Sequence, residues 1–167
     1  AIGMLMKSGQ SKFKDEAKLG FIIGINPEDL KLLSEVQSIE LVEGRALKKD
    51  DKYKVVVGYN HAYSDIWKRG IKIGETIEIE GYDFKVIGVF KKVGNPYDDA
   101  ALYMTKDVLR EILNVEDEES EILVKTAEGF DPKNVADTIK RKLRSFRGEK
   151  EEQETFSVQT SEQLLNT

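Results

Sequence analysis

Residues 76–90 alternate apolar and charged side chains on either side of a glycine. Ile77 and Ile79 alternate with Glu78 and Glu80, Gly81 marks a turn, and Phe84 and Val86 alternate with Asp83 and Lys85. A period of two is the signature of a strand with one face buried, and two such runs about one turn make an antiparallel hairpin. The pattern changes phase at Ile87 and Val89 around Gly88, which predicts either a bulge or a stretch covered on both faces. The chain must therefore build a sheet with an apolar face.

The remaining patterns alternate between strand and helix. Residues 19–25 read as a buried strand. Asn26-Pro27-Glu28-Asp29 follows as a helix start, with Asn26 at the N-cap, Pro27 at N1 and two carboxylates at the positive end of the dipole. Residues 36–42 read as a strand that Glu43-Gly44-Arg45 turns away. Residues 53–57 form a strand closed by Gly58, after which Asn60 caps a helix carrying Ala62, Ile66 and Trp67 as far as Gly70. Residues 91–99, with Gly94-Asn95-Pro96, read as a loop. Residues 100–104 read as a short strand, and Thr105 caps a helix with Val108, Leu109, Ile112 and Leu113 on one face. Residues 122–125 are a strand, and Asp131-Pro132 opens the longest helix. Its Val135, Ile139, Leu143 and Phe146 form one apolar stripe, Lys140 to Arg147 load its last turns with cations, and Gly148 ends it. Phe156 and Val158 alternate in a final strand. This order predicts an α+β chain whose outer elements form one layered unit with a strand-rich middle inserted into it.

Composition narrows the chemistry. The chain has 167 residues, with 26 Lys+Arg against 31 Asp+Glu and a net charge of −5. The acidic balance, with a pI near 5.1, argues against a general affinity for nucleic acid, which requires surplus cations. With no Cys and one His, His61, thiolate catalysis and disulfides are excluded, and structural zinc and a Ser-His-Asp triad nearly so. Only carboxylate or lysine chemistry stays open. A high Lys and Glu content without Cys resembles the composition of hyperthermophile proteins.

Few residue groups invite a functional reading. Five carboxylates between Glu116 and Glu121 lack the spacing and turn glycine of a calcium loop, and read as a solvated connection. The cations of residues 140–147 complement a helix C-terminus. His61 beside a predicted N-cap reads as a surface residue. Asn95, Pro96, Tyr97, Asp98 and Asp99 are the candidate partner contact; the two aspartates are either turn residues or partners of Lys91, Lys92 or another protein. No phosphate-cradling glycine loop occurs, so nucleotide binding is not expected.

The apolar runs at 1–6 and 19–25 are too short for a bilayer, which needs about 20 residues. Both ends nevertheless read as cut: Ala1 opens directly on an apolar run, and Thr160-Ser161-Glu162-Gln163 has capping-box form just before the chain stops.

Gly24-Ile25-Asn26-Pro27-Glu28, Leu41-Val42-Glu43-Gly44-Arg45 and Val55-Val56-Val57-Gly58 follow one another in an order that resembles the MacB-like periplasmic core domain of FtsX-like ABC-transporter permeases. Ile73-Gly74-Glu75-Thr76-Ile77-Glu78-Ile79, Phe84-Lys85-Val86-Ile87-Gly88-Val89 and Phe156-Ser157-Val158-Gln159-Thr160-Ser161-Glu162-Gln163-Leu164 continue the match. The resemblance implies an extracytoplasmic domain, on the extracellular or periplasmic side of the cell membrane, placed between the first two membrane helices of the permease. It also implies a porter-like α/β-layered subdomain from the two flanks, 1–45 and 115–160, around a small β-rich subdomain at 46–114. Residues 161–167 would then start a helix leading to a membrane span, and part of the first flank would be absent. The implied partners are a cytoplasmic ATPase subunit, a second permease and an extracytoplasmic protein. The implied role is to couple ATP-driven movement to export or to events outside the membrane, with no catalytic residue and no cofactor. A module binding a small ligand or a partner through residues 91–99 is the second reading, and a carboxylate-dependent hydrolase with two converging acids the third.

Overall fold

The longest strands come from a part of the chain with little apolar alternation. The computed structural model describes residues 1–37, 39–63 and 66–165. In it β1 (Ile2–Phe13) and β2 (Glu16–Ile25) form an antiparallel hairpin in which Phe13 faces Glu16 across a tight turn, with Lys14 at φ +54°. A 3-10 turn (Pro27–Asp29) leads into α1 (Leu30–Gln37). Then come β3 (Leu41–Gly44), β4 (Lys54–Val57), α2 (Tyr59–Tyr63), β5 (Thr76–Ile79) and β6 (Tyr82–Phe90). The one-turn α3 (Pro96–Asp99), β7 (Leu102–Thr105), α4 (Lys106–Leu113) and β8 (Glu121–Leu123) follow.

The strand pairings return to their start. β1 pairs with β2, β2 with β7, β7 with β4, β4 with β6, β6 with β5, and β5 with β1. These strands close a barrel, which removes their free edges. β3 adds to β6, and β8 adds to the first residues of β1.

Period-two alternation sends side chains to both faces of this wall. Leu5, Ile22, Val55, Val57, Ile77, Phe84, Val86, Leu102 and Met104 form the inner cluster, joined by Trp67 and by Val108 and Leu109 of α4. Ile2, Met4, Ile23, Ile25, Val56, Ile87, Phe90 and Tyr103 form a second cluster with Leu33 of α1. Adjacent residues such as Ile22 and Ile23 thus serve different cores.

The predicted hairpin at 76–90 is present, with Glu80 at φ +50° and Gly81 at φ +84° supplying the left-handed turn that matches strand twist. Both predicted explanations of the phase change apply: the register against β4 shifts between Val55 and Val56, and residues 86–90 are buried throughout. Gly88 is required there, because a Cβ would stand 2.5 Å from the Arg45 carbonyl oxygen. Gly88→Ala is expected to cost about 2 kcal/mol through overpacking against backbone, measured by urea unfolding.

The nested division expected from the sequence is corrected. The hairpin of the first flank pairs with β5 and β7 of the supposed insert, so 46–114 does not stand apart from 1–45. The chain divides instead into residues 1–123 and 124–167. Residues 36–37 end α1, and the strand expected at 36–42 begins at Leu41, with residue 38 outside the described residues. The helix expected over 60–70 is described only to Tyr63; residues 64 and 65 lie outside the described residues, and 66–70 are a turn that Gly70 closes against Ala62.

The second unit is built on α5 (Pro132–Arg147). Asp131 caps it by accepting the Lys133 N–H at 3.2 Å, and Gly148 ends it at φ +65°. Val135, Ile139 and Leu143 are half-buried, but Phe146 is 88% exposed, so the predicted stripe is covered only in part. The strand expected at Phe156 and Val158 is not formed: residues 154–160 run without ladder partners, tied to the helix by Arg144–Glu154 at 2.9 Å and Arg147–Thr155 at 2.9 Å. The capping box is present. Thr160 N–H donates to Gln163 Oε1 at 2.8 Å and Gln163 N–H to Thr160 Oγ1 at 3.3 Å, opening α6 (Ser161–Leu165). Residues 166 and 167 lie outside the described residues.

Candidate ligand groove at the barrel mouth

The candidate contact segment divides by side-chain direction. Asn95 caps α3, its Oδ1 accepting the Tyr97 N–H at 3.0 Å, and Pro96 takes the first helical position. Asp99 turns inward: it is 3% exposed and accepts the N–H groups of Val93 at 2.8 Å and Gly94 at 3.0 Å. It folds its own loop and does not pair with Lys91 or Lys92; Lys91 faces Glu40 at 3.3 Å. Asp98 is half-buried, and burial followed by the nearby Asp99 charge holds its carboxyl above the usual range. Tyr97 projects outward, 66% exposed, with its ring edge-on to Phe21 at 5.5 Å.

His61 is buried rather than on the surface, because α2 follows directly on β4 and the imidazole is enclosed between Ala100 and Trp67. Its Nε2 lies 2.9 Å from the Ala100 carbonyl oxygen, and Trp67 Nε1–H donates to its Nδ1 at 3.0 Å. These partners fix one tautomer, with the proton on Nε2. Burial depresses its pKa to about 4, against the opposing pull of the Ala100 carbonyl. Both nitrogens are occupied, which leaves His61 no role as a general base.

Two cavities touch this region. One of about 20 Å³ lies among Met4, Ile23, Leu33 and Phe90, with Asp98, Tyr103 and Glu121 on its wall. It has room for about one water molecule. Burial, with Asp98 as the lesser cause, also raises the Glu121 carboxyl. The other cavity, of about 450 Å³, opens where β2 leaves β7. The β2–β7 ladder begins at Ile22, so residues 16–21 of β2 pair with β1 alone. Phe21, Ile66, Tyr97 and Leu102 line this groove, with Ser11, Lys18 and His61. That volume lies within the range of small-molecule sites.

The other charged groups are structural. Lys7 pairs with Glu118, and the buried Lys106 Nζ donates to both Glu119 oxygens at 2.8 and 3.1 Å, beside Arg110 at 3.0 Å. No group of three or more His, Cys, Asp or Glu among the described residues could hold a metal ion. The cations of α5 meet the acids that follow it, as with Lys140–Glu154 at 3.9 Å and Arg144–Glu151 at 3.3 Å.

The sequence reading missed the groove itself. The inward positions of β1 and β2 that border it are Gly9, Ser11, Lys18 and Gly20, which give no apolar period. The readable signal was a pair of glycines, Gly9 and Gly20, at equal distances from the Lys14-Asp15 turn.

The family description of the MacB-like periplasmic core domain matches residues 2–142. The chain belongs to this family. The MacB-like domain is 35% identical over 141 residues to an uncharacterized ABC transporter permease of Methanocaldococcus jannaschii, covering 84% of this chain and 34% of the relative. The chain therefore spans about a third of that permease. Its fold is similar to the extracellular domain of the noncanonic ABC-type transporter YknZ from Gram-positive bacteria, at a TM-score of 0.70 and 19% identity, covering 95% of this chain and 80% of that one. It is also similar to the periplasmic region of MacB from Actinobacillus actinomycetemcomitans, at a TM-score of 0.67 and 20% identity over 89% of this chain and 67% of that one. The family is one of periplasmic domains of membrane permeases; no helix among the described residues is itself long and apolar enough to cross a membrane.

Proposed function

We propose that this MacB-like domain is the extracytoplasmic part of an ABC-transporter permease and passes ATP-driven movement of membrane helices to events outside the membrane. The match to the family over residues 2–142 carries the reading. The closed barrel suits it physically, because a ring of paired strands around one apolar interior moves as a body. The driving chemistry belongs to a cytoplasmic ATPase subunit, and the permease works as a pair of copies. A protein partner outside the membrane meets Tyr97 and Pro96, the outward side of the 95–99 segment, and not the two aspartates.

A spin label at Asp83→Cys, an exposed site on the β5–β6 hairpin, tests the coupling in the full-length permease reconstituted with its ATPase and cleared of other cysteines. The label-to-label distance between the two copies is expected to shift between the nucleotide-free and ATP-bound states. Identical distance distributions in both states would overturn the proposal.

A further inference from the structure

We infer that the groove at the barrel mouth is a binding site for a small amphipathic carboxylate, its acid group held by Ser11 and Lys18 and its apolar chain lying over Gly20. The cross-strand register carries this. Ser11 is paired directly with Lys18, and Gly9 directly with Gly20. Positions two apart on a strand share a face, so both pairs look into the same side of the hairpin, next to Leu5 and Ile22. One pair supplies a hydroxyl and an ammonium within reach of each other. The other supplies no side chain at all, and at Gly20 the wall is open.

Several observations point to a ligand. Ser11 is 4% exposed, lines the groove, and its hydroxyl has no hydrogen-bond partner among the described residues. The hydroxyl is open to the groove rather than sealed inside the protein, so an incoming acceptor can pair with it. Lys18 is exposed at the rim, and its acidic neighbour among the described residues, Glu16, is 3.9 Å away with Oε1 already accepting the Lys68 N–H at 2.9 Å. His61 reaches the groove but holds both its ring nitrogens in other bonds, so it adds neither charge nor a competing donor. Beyond these polar groups the walls are apolar: Phe21, Ile66, Tyr97 and Leu102. An ammonium and a free hydroxyl at one end of an apolar slot of about 450 Å³ select a molecule with a carboxylate head and an unbranched or aromatic body.

The two glycines are not equivalent. A Cβ at Gly9 would collide with the Ile22 side chain and with the Glu80 carboxylate, which is held there by the Gln10 N–H, whereas a Cβ at Gly20 would find nothing nearer than the Ala100 carbonyl oxygen at 3.9 Å. Gly9 is thus needed for packing. Gly20 is not, and its missing side chain is what keeps the groove open.

Decanoate, octanoate and decanol, each below its aggregation threshold, are titrated into the chain by calorimetry and by amide shifts in NMR. The inference holds no role for the transport reading, so neither result decides the other. Decanoate is expected to bind one to one, with the largest shifts at Ser11, Gly20 and Ile66. Octanoate should bind about tenfold more weakly through two lost methylenes, and decanol about tenfold more weakly through the lost charge-assisted bonds. Gly20→Val should abolish binding, and Lys18→Met and Ser11→Ala should each weaken it about tenfold, with unfolding midpoints showing that each variant folds. No saturable binding of decanoate would overturn the inference. Binding unchanged by Gly20→Val, or decanol binding as tightly as decanoate, would overturn it equally.

Discussion

Replacing Phe84 by alanine is expected to cost about 4 kcal/mol, while the same change at Phe146 costs less than about 0.5 kcal/mol. Phe84 is fully buried in the barrel interior, set opposite Ile77 on the paired strand and edge-on to the Tyr53 ring at 5.5 Å. Its loss removes a large apolar surface and leaves a void that a closed ring of strands cannot collapse to fill. Phe146 is 88% exposed and leaves nothing behind when shortened. Since domains are stable by only about 5–15 kcal/mol, the Phe84 variant should melt about 10 °C lower. Urea unfolding of both variants checks the contrast, and equal losses at the two positions would overturn the placement of Phe84.

The second large effect is a loss of stability as pH falls from about 6.5 to about 4. His61 has its pKa depressed to about 4 in the folded chain, against about 6.5 when unfolded, so across that window only the unfolded chain takes up the proton. The stabilising contribution is complete above the unfolded value and is lost as pH falls to the folded one, a change of about 3 kcal/mol. The cause is structural. Protonating His61 would place a charge in a dry site and put a second N–H where Nδ1 now accepts from Trp67. Asp98 and Glu121 act with the opposite sign, because their raised carboxyls favour the folded chain as they protonate. The Asp98→Asn, Glu121→Gln background should therefore show the larger pH loss. The lone histidine gives a direct readout, since its ring resonances are unique in NMR. A titration midpoint near 4 is expected; a midpoint near 6.5 would show that the ring is hydrated.

Legibility followed the range of the interaction. Residues 76–90 could be read because the turn, the alternation and the phase change at Gly88 all lie within one hairpin. The helix starting at Asp131-Pro132 and the capping box at Thr160 could be read because a cap needs only two or three neighbouring residues. Residues 36–37 were misread because an apolar pattern that short fits a helix end as well as a strand. Phe156 and Val158 alternate as a strand would, yet no neighbour offers them a ladder.

The candidate contact was half legible. Asn95 and Pro96 announce a turn and cap one, but nothing local separates Tyr97, which projects, from Asp99, which folds back onto Val93 and Gly94. His61 was misplaced for the same reason: its burial depends on Trp67 and on Ala100, a residue 39 positions away.

By itself the sequence determined the strand and helix alternation, the hairpin turn, the helix caps, the exclusion of thiol chemistry, and, through the order of its motifs, the family. These are properties of neighbouring residues or of composition. Only the tertiary structure decided that the first flank belongs to the same barrel as the middle, because closure rests on Ser11 and Lys12 meeting Ile79 and Glu78. It also decided where the wall stays open. A pair of glycines and a polar pair make a groove only when two strands set them face to face, and a linear pattern does not record which residues will be opposite.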